Sequence, residues 1–243
     1  MKKPLKWAGF VKINSIIDKG IGFLNPKSIT IKWLKRLILL SILLFSVYLN
    51  YLNNLVRVEF SKPLTPIHST LSLEQHPKAL LNMLLLVEDQ SFFDHPGVDF
   101  KEIARVLRDY WFNDKPIRGA STLTQQLIKN TLLTRDQTIS RKLNEALMAL
   151  LLEVAFDKDF ILNRYMNTVY LAQQGNAPIH GFEKGAQFYF NQSVDTLSNK
   201  EIATLVALVK GPSYYHPIKN AQRLAKRREL VLSIYKKFEK IVK

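Results

Sequence analysis

Three polar clusters in the sequence combine residue types that could do chemistry. In the first, the adjacent acids Glu88 and Asp89 end an apolar run and are followed by Phe92, His95 and a Pro-Gly pair. A carboxyl group at the end of an apolar helix is partly removed from water, which suits general acid or base chemistry. The alternative is that these acids are only the solvated end of a helix.

The second cluster is a helix entry that is rich in hydroxyl and amide groups. Its polar residues are Gly119, Thr122, Gln125, Gln126, Lys129 and Asn130. The pair Thr122 and Gln125 predicts a capping box that opens a helix running to about Leu133. The exposed N–H groups and the positive end of such a helix attract anions. An ordinary capping box would explain Thr122 and Gln125 but not the amide and ammonium groups that follow.

The third cluster presents cations and acids from one helix. Arg141, Lys142 and Glu145 are followed at helical spacing by Ala149 and Glu153. This spacing places a cation and an acid on one side of a rigid element. The alternative is a plain ion pair between residues four apart, without a catalytic role.

Helices must position these clusters, because most of residues 77–243 shows helical periodicity. Helices are predicted over 77–87, 122–133, 141–156 with Ser140 as cap, 157–170, 198–209 with Ser198 and Glu201 as capping box, and 221–240. No alternating pattern is long enough to predict a sheet, and residues 175–185, with three glycines and a proline, predict a loop or turn. The expected fold is mainly α.

A membrane helix is predicted over residues 37–56, which form twenty residues without a charge. This length matches the hydrocarbon layer of a bilayer. A cleaved signal peptide is disfavoured because no Ala-x-Ala-like site follows the segment. The domains expected are a basic cytoplasmic arm (1–36), the membrane helix (37–56), a linker (57–76) and a catalytic domain (77–243).

The charge distribution favours export of the catalytic domain over binding of nucleic acid. Residues 1–36 carry nine lysines or arginines and one acid, so this arm holds +8 of the formal net charge of +15. An excess of positive charge before a membrane helix places that end in the cytoplasm. The sequence has no cysteine, which excludes disulfides and thiolate chemistry. It also lacks the H-E-x-x-H, G-x-S-x-G and P-loop motifs, and its five histidines lack the spacing of metal ligands.

Taken in order, the three clusters resemble the signature of glycosyltransferase family 51. They match E-D-x-x-F-x-x-H-x-G, G-x-S-T-x-T-Q-Q-x-x-K-N and R-K-x-x-E, and the fourth and fifth family blocks match residues 158–167 and 227–232. The stretches 170–182 and 209–214 are most similar to the polymerase domain of one class of bifunctional penicillin-binding proteins. No transpeptidase motifs follow before Lys243, so a monofunctional transglycosylase is expected.

The resemblance implies a lysozyme-like, two-lobed α domain on the membrane that polymerises lipid II with inversion and releases undecaprenyl pyrophosphate. Glu88 would be the general base, and Glu145 the second essential acid, orienting the donor or a divalent ion. Lys129 and Arg141 would bind pyrophosphate. Further substrate contacts are expected from Asp89, Phe92, His95, Thr122, Gln125, Gln126, Asn130 and Lys142. No cofactor is required, although Mg or Mn at the pyrophosphate would fit the family.

The resemblance also bears on partners and on one departure from the family pattern. The expected partners are lipid II, the lipid-linked growing glycan, the membrane, and transpeptidases or other wall-synthesis proteins. Residues 110–112 resemble a part of the family that is mobile, and they are expected to dip into the membrane interface. Asn163 replaces an acid of the fourth block, which is expected to alter packing or a salt bridge. A poorly active recruiting partner and a glycan hydrolase are the competing interpretations.

Overall fold

The computed structural model describes residues 26–65, 67–115, 119–134 and 136–242. They form nine helices and one antiparallel two-stranded ribbon, which confirms the mainly α expectation. The helices are α1 Pro26–Phe60, α2 Lys78–Glu88, α3 Phe100–Asn113, α4 Leu123–Leu132, α5 Ile139–Ala155, α6 Lys158–Thr168, α7 Phe182–Phe190, α8 Asn199–Val209 and α9 Ala221–Val242. Strands β1 Tyr170–Gln174 and β2 Ala177–His180 lie between α6 and α7.

The chain divides into two compact units, residues 1–50 and 51–243. In the first unit, the described part of the predicted cytoplasmic arm begins at Pro26, and residues 1–25 of that arm lie outside the described residues. The segment Ile31–Phe60 of α1 has a mean hydropathy of 1.5 and is long enough to cross a membrane. Its residues up to 48 are exposed, as a lipid-facing surface would be.

The core of the second unit is built from two groups of helices. Helix α2 packs against α8 and α9, while α4 packs against α5 and α6. Leu52, Val56 and Phe60 are each no more than 2% exposed and join this core. Their spacing of four residues places all three on one face of the helix, so the chain enters the globular unit as packed helix.

The segment predicted to be a linker, residues 57–76, is held within the second unit by hydrogen bonds. The guanidinium of Arg164 donates to the carbonyl of Lys62 at 2.8 Å. The side chain of Asn167 accepts from the backbone N–H of Leu71 at 3.2 Å and donates to the same residue's carbonyl at 2.9 Å. Both anchoring residues lie in the fourth sequence block, which therefore fixes the path of the chain between α1 and α2.

Two helices begin at the capping residues that the sequence predicts, and a third begins at a different residue. The capping boxes Thr122–Gln125 and Ser198–Glu201 are both present. Helix α5, however, starts after Thr138, whose side chain accepts from the N–H of Arg141 at 3.1 Å. The assignment of the cap to Ser140 was wrong because that residue already lies inside the first turn.

The expected loop over residues 175–185 is also wrong in part. Only Gly175 and the next residue form a turn, and strand β2 and helix α7 follow. Gly181 has a φ of +82°, and a Cβ there would lie 2.5 Å from the carbonyl oxygen of Asn167. A Cβ on Gly185 would meet Leu171 at 2.6 Å. These two glycines permit close packing around the ribbon and do not mark a loop.

Candidate active site

A cleft of about 920 Å³ opens beside the end of α2. Its walls are the end of α2, the loop between α2 and α3, the first turns of α3, and the segment that leads into α4. Residues that line it and matter for the chemistry are Glu88, Asp89, His95, Ser121 and Thr122. The cleft therefore brings together parts of the first and second sequence clusters.

Glu88 is the last residue of α2, and its carboxylate is held by two donors. One guanidinium nitrogen of Arg227 donates to Oε1 at 2.9 Å, and the amide nitrogen of Gln126 donates to Oε2 at 3.2 Å. The Glu88 side chain is only 3% exposed. Two donors on two oxygens suit an ionised carboxylate, which is the form that can accept a proton.

Asp89 and His95 lock the loop that follows α2. The amide N–H of Gly97 donates to Nδ1 of His95 at 3.0 Å, so Nδ1 carries no proton. The other ring nitrogen, Nε2, then donates to Asp89 at 2.9 Å. Asp89 also accepts from the backbone N–H of Leu123 at 2.8 Å. Asp89 thus ties the first cluster to the start of α4.

The capping box of α4 is part of the same wall. The Thr122 hydroxyl donates to the carbonyl of Gly97 at 2.6 Å and accepts from the N–H of Gln125 at 3.1 Å. Phe92 and Gln125 are 1% and 2% exposed, and neither lines the cleft. They were expected to contact substrate, but the structure uses their side chains inside the wall.

A partly buried ion pair supports this wall. Glu153 of α5 accepts from Lys158 at 2.8 Å and from the hydroxyl of Thr124 at 2.6 Å. The Lys158 ammonium also donates to the carbonyl of His95 at 2.7 Å and lies 4.4 Å from the ring centre of Phe92. The acid at position 153 therefore has a structural role.

Two cations pair with one buried acid next to the cleft, and two further lysines interact electrostatically with this group. Glu145 is 2% exposed, and it accepts from Arg141 at 2.9 Å and from the ammonium of Lys142. Lys142 also donates to the hydroxyl of Ser121 at 2.9 Å, which connects this group to the cleft wall. We refer to Lys129, Arg141, Lys142 and Lys210 as the cation cluster.

The charges of the cation cluster act on one another. Lys129 is an exposed residue, but the partial burial of its ammonium group lowers its pKa below the usual 10.5. Glu145 acts in the opposite direction, and the three other cations lower the pKa further. One carboxylate cannot neutralise four cations, so an anion in this place would be strongly favoured. Asn130 lies exposed beside Lys129 on α4.

Three residues of the site had no role in the sequence-based prediction. Arg227 and Tyr165 lie in the fifth and fourth blocks, and they reach Glu88 directly or through Gln126. Lys210 precedes a Gly-Pro pair, and its ammonium lies 3.8 Å from where a Cβ of Gly119 would stand. Lys210 lies in the stretch 209–214, whose resemblance to the family could have pointed to it. The sequence does not show that this lysine lies near Gly119 and Lys129, because they are about 90 and 80 residues away along the chain.

The donor set around Glu145 does not fit a divalent metal ion. Both of its oxygens accept from cationic side chains, and further cations would repel a metal. Across the described ranges, no three His, Cys, Asp or Glu residues are grouped as metal ligands.

Comparison with known proteins agrees with this site. The chain matches the transglycosylase family over residues 60–236, which include all five sequence blocks. Penicillin-binding protein 1B of Haemophilus influenzae is 46% identical over 162 residues, covering 67% of this chain and 21% of that protein. Penicillin-binding protein 1B of Escherichia coli is 42% identical over 158 residues, covering 65% and 19%. Penicillin-binding protein 1A of Aquifex aeolicus is 39% identical over 161 residues, covering 66% and 22%.

The fold and the site therefore define a helical transglycosylase domain, and this chain belongs to the transglycosylase family. It spans about a fifth of the length of the curated relatives that it matches. The family match covers the cleft, the cation cluster and both residues that contact Glu88.

Proposed function

We propose that this protein is a peptidoglycan glycosyltransferase that polymerises lipid II into glycan strands. One observation carries the proposal: the hydrogen bond between Lys142 and Ser121 places the cation cluster beside the cleft that Glu88 lines. A sugar transfer from a pyrophosphate donor needs a base for the attacking hydroxyl and positive charge for the leaving group. The site offers both, joined by the contact between Lys142 and Ser121.

Glu88 takes the role of general base in this proposal. Its carboxylate accepts the proton of the 4-hydroxyl of lipid II while that oxygen attacks the anomeric carbon of the lipid-linked growing chain. The bond to the pyrophosphate breaks in the same displacement, so the anomeric configuration inverts. The proton stays on Glu88 until it is released to solvent.

The cation cluster stabilises the departing pyrophosphate. Negative charge grows on the leaving oxygens during the displacement, so fixed cations favour the transition state more than the ground state. Arg141 can bind two phosphate oxygens in parallel, whereas each lysine acts as a point charge. Glu145 keeps Arg141 and Lys142 in place, since both donate to its carboxylate.

A hydrolase that cuts finished glycan has less support from this arrangement. Such an enzyme needs a pair of carboxyl groups across the glycosidic bond and no pyrophosphate site. Here the second carboxylate, Glu145, is buried and paired with two cations. The geometry favours synthesis over cleavage.

The membrane is part of the proposal because both substrates carry lipid. Helix α1 is the membrane span in it, with the basic N-terminal arm in the cytoplasm and the cleft on the outer face of a bacterial inner membrane. Helix α3 offers exposed aromatic side chains for the interface, Tyr110, Trp111 and Phe112, which are 46%, 68% and 80% exposed. Transpeptidases and other wall-synthesis proteins are the partners proposed for the product strand.

The test incubates the detergent-solubilised full chain with labelled lipid II and separates polymer from substrate. We expect long glycan from the wild type, none from Glu88→Gln, and wild-type yield from the matched control Glu74→Gln, whose acid is exposed and does not line the cleft. Equal output from Glu88→Gln would exclude this base. Absence of polymer from the wild type would favour a recruiting partner, and digestion of preformed glycan would favour the hydrolase.

A further inference from the structure

A chain of two hydrogen bonds leads from a buried tyrosine hydroxyl to the carboxylate of Glu88. Tyr165 of α6 is 1% exposed, and its hydroxyl donates to Oε1 of Gln126 at 2.9 Å. The amide nitrogen of the same Gln126 donates to Oε2 of Glu88 at 3.2 Å. The three residues come from three different helices, so this contact depends on the tertiary fold.

The tyrosine holds the oxygen end of the Gln126 amide. Burial raises the pKa of Tyr165 well above its usual value, and the nearby charges of Glu88 and Asp89 raise it further. The hydroxyl therefore keeps its proton and serves Gln126 as a donor. Since an ionised carboxylate only accepts, the NH₂ group of Gln126 faces Glu88, and the amide oxygen is left to accept from Tyr165.

We propose that Tyr165 is a positioning residue for the general base and acts through Gln126. Arg227 holds one oxygen of Glu88, and the oriented amide holds the other, so the carboxylate plane is fixed relative to the cleft. Each oxygen accepts only one bond from these partners and keeps a lone pair for an incoming hydroxyl. This inference rests on the proposed function of Glu88.

The burial of Tyr165 separates this role from substrate binding. Tyr165 does not line the cleft, so its hydroxyl cannot contact the sugar. Loss of the hydroxyl should lower kcat and leave KM nearly unchanged, because only the orientation of the base is affected. A residue that merely stabilised the fold would lower the amount of active enzyme without changing its pH dependence.

The first experiment compares Tyr165→Phe with wild type in the lipid II assay. We expect kcat to fall about tenfold, in keeping with the loss of the one hydrogen bond that holds the amide orienting the base. The acidic limb of the pH–rate profile should move to higher pH, because a carboxylate with a weaker donor protonates more easily. The matched control is Tyr189→Phe, which removes another partly buried hydroxyl, bonded to the carbonyl of Leu171, and should change neither quantity. An unchanged pH profile in Tyr165→Phe would overturn the proposal.

A double-mutant cycle tests whether the tyrosine acts through the glutamine. In a Gln126→Ala background, Tyr165→Phe should cause no further loss of kcat, since the connecting amide is already absent. Full additivity of the two losses would show that Tyr165 acts by another route and would overturn the proposal.

A measurement without turnover separates this inference from the proposed function. The carboxyl ¹³C signal of Glu88, assigned by its disappearance in Glu88→Gln, can be titrated in the full chain whether or not glycan is made. It should protonate at higher pH in Tyr165→Phe than in wild type or Tyr189→Phe. Identical titrations would refute the role of Tyr165, whatever the polymerisation assay shows.

Discussion

Glu88 and Arg227 lie 139 residues apart in the sequence and form an ion pair of 2.9 Å that joins the end of α2 to α9. The Glu88 side chain is 3% exposed and that of Arg227 is 17% exposed. The Nε atom of Arg227 is buried without a hydrogen-bond partner. The contact therefore links the proposed base to the last helix of the family match, and it should serve both stability and activity.

Removal of the cation should destabilise the fold more than removal of both charges. Arg227→Gln leaves the Glu88 carboxylate buried with only an amide donor, at a cost of about 3 kcal/mol. In a Glu88→Gln background the same substitution should cost much less, because no charge is stranded. Melting temperatures of the four proteins in detergent give the coupling. Equal losses in both backgrounds would mean that the ion pair does not contribute to stability.

The contacts within each cluster were predictable from the sequence, because they join residues that are only three or four positions apart. The capping box of Thr122 and Gln125 and the i,i+4 pair of Arg141 and Glu145 are set by helical periodicity, and both are confirmed. The partner of Glu88 was not predictable in the same way. Periodicity carries no information about which side chain 139 residues away will meet a carboxylate.

The ribbon was missed for a different reason. Strands of five and four residues are too short for alternation to stand out. Two of the three glycines that suggested a loop, Gly181 and Gly185, are required by close contacts, such as the one between Gly185 and Leu171. Close packing of this kind is a property of the folded chain, so a single sequence does not distinguish it from a turn.

Asn163, the departure from the fourth block, retains a structural contact. Its side-chain oxygen accepts from the amide of Asn167 at 3.0 Å, and Asn167 in turn holds the segment before α2. An acid could accept the same bond. The substitution therefore leaves the anchoring of this segment in place.

Lys129 should give the activity an alkaline limit. Its pKa lies below 10.5, so its positive charge is lost at lower pH than that of an ordinary lysine. The charged form binds pyrophosphate, so activity should fall as pH rises through this lowered pKa. Lys129→Arg keeps its charge and should move the alkaline limb of the pH–rate profile to higher pH, whereas the exposed control Lys237→Arg should not. An identical limb in all three proteins would remove Lys129 from the anion site.

Gly97 should be the least replaceable glycine of the cleft wall. It has a φ of +95°, and a Cβ there would lie 2.6 Å from the carbonyl oxygen of Ala149 on α5. Gly97→Ala should therefore cost about 2 kcal/mol or more, and loosen the wall that contains His95.

Gly175→Ala is the matched control, because its φ of +59° is also positive but a Cβ would meet nothing within 4 Å. It should cost about 1 kcal/mol, from backbone strain alone. Thermal unfolding measures the loss of stability in the two variants, and an equal loss in both would show that α5 moves to accommodate the added methyl group.

Chelation of divalent ions should leave polymerisation largely intact. The cation cluster already places four positive side chains at the anion site, and both oxygens of Glu145 accept from two of them. EDTA should therefore change the initial rate by less than about twofold, whereas raised salt should slow the reaction by screening the exposed cations.

Lys142→Ala provides the comparison, since it removes one cation and the contact with Ser121. We expect that variant to lose at least about tenfold in kcat/KM, by loss of charge-assisted hydrogen bonds to the leaving group. Complete loss of activity in EDTA, restored by Mg²⁺ or Mn²⁺, would show that a metal ion bound with the pyrophosphate is required and that the side chains alone are insufficient.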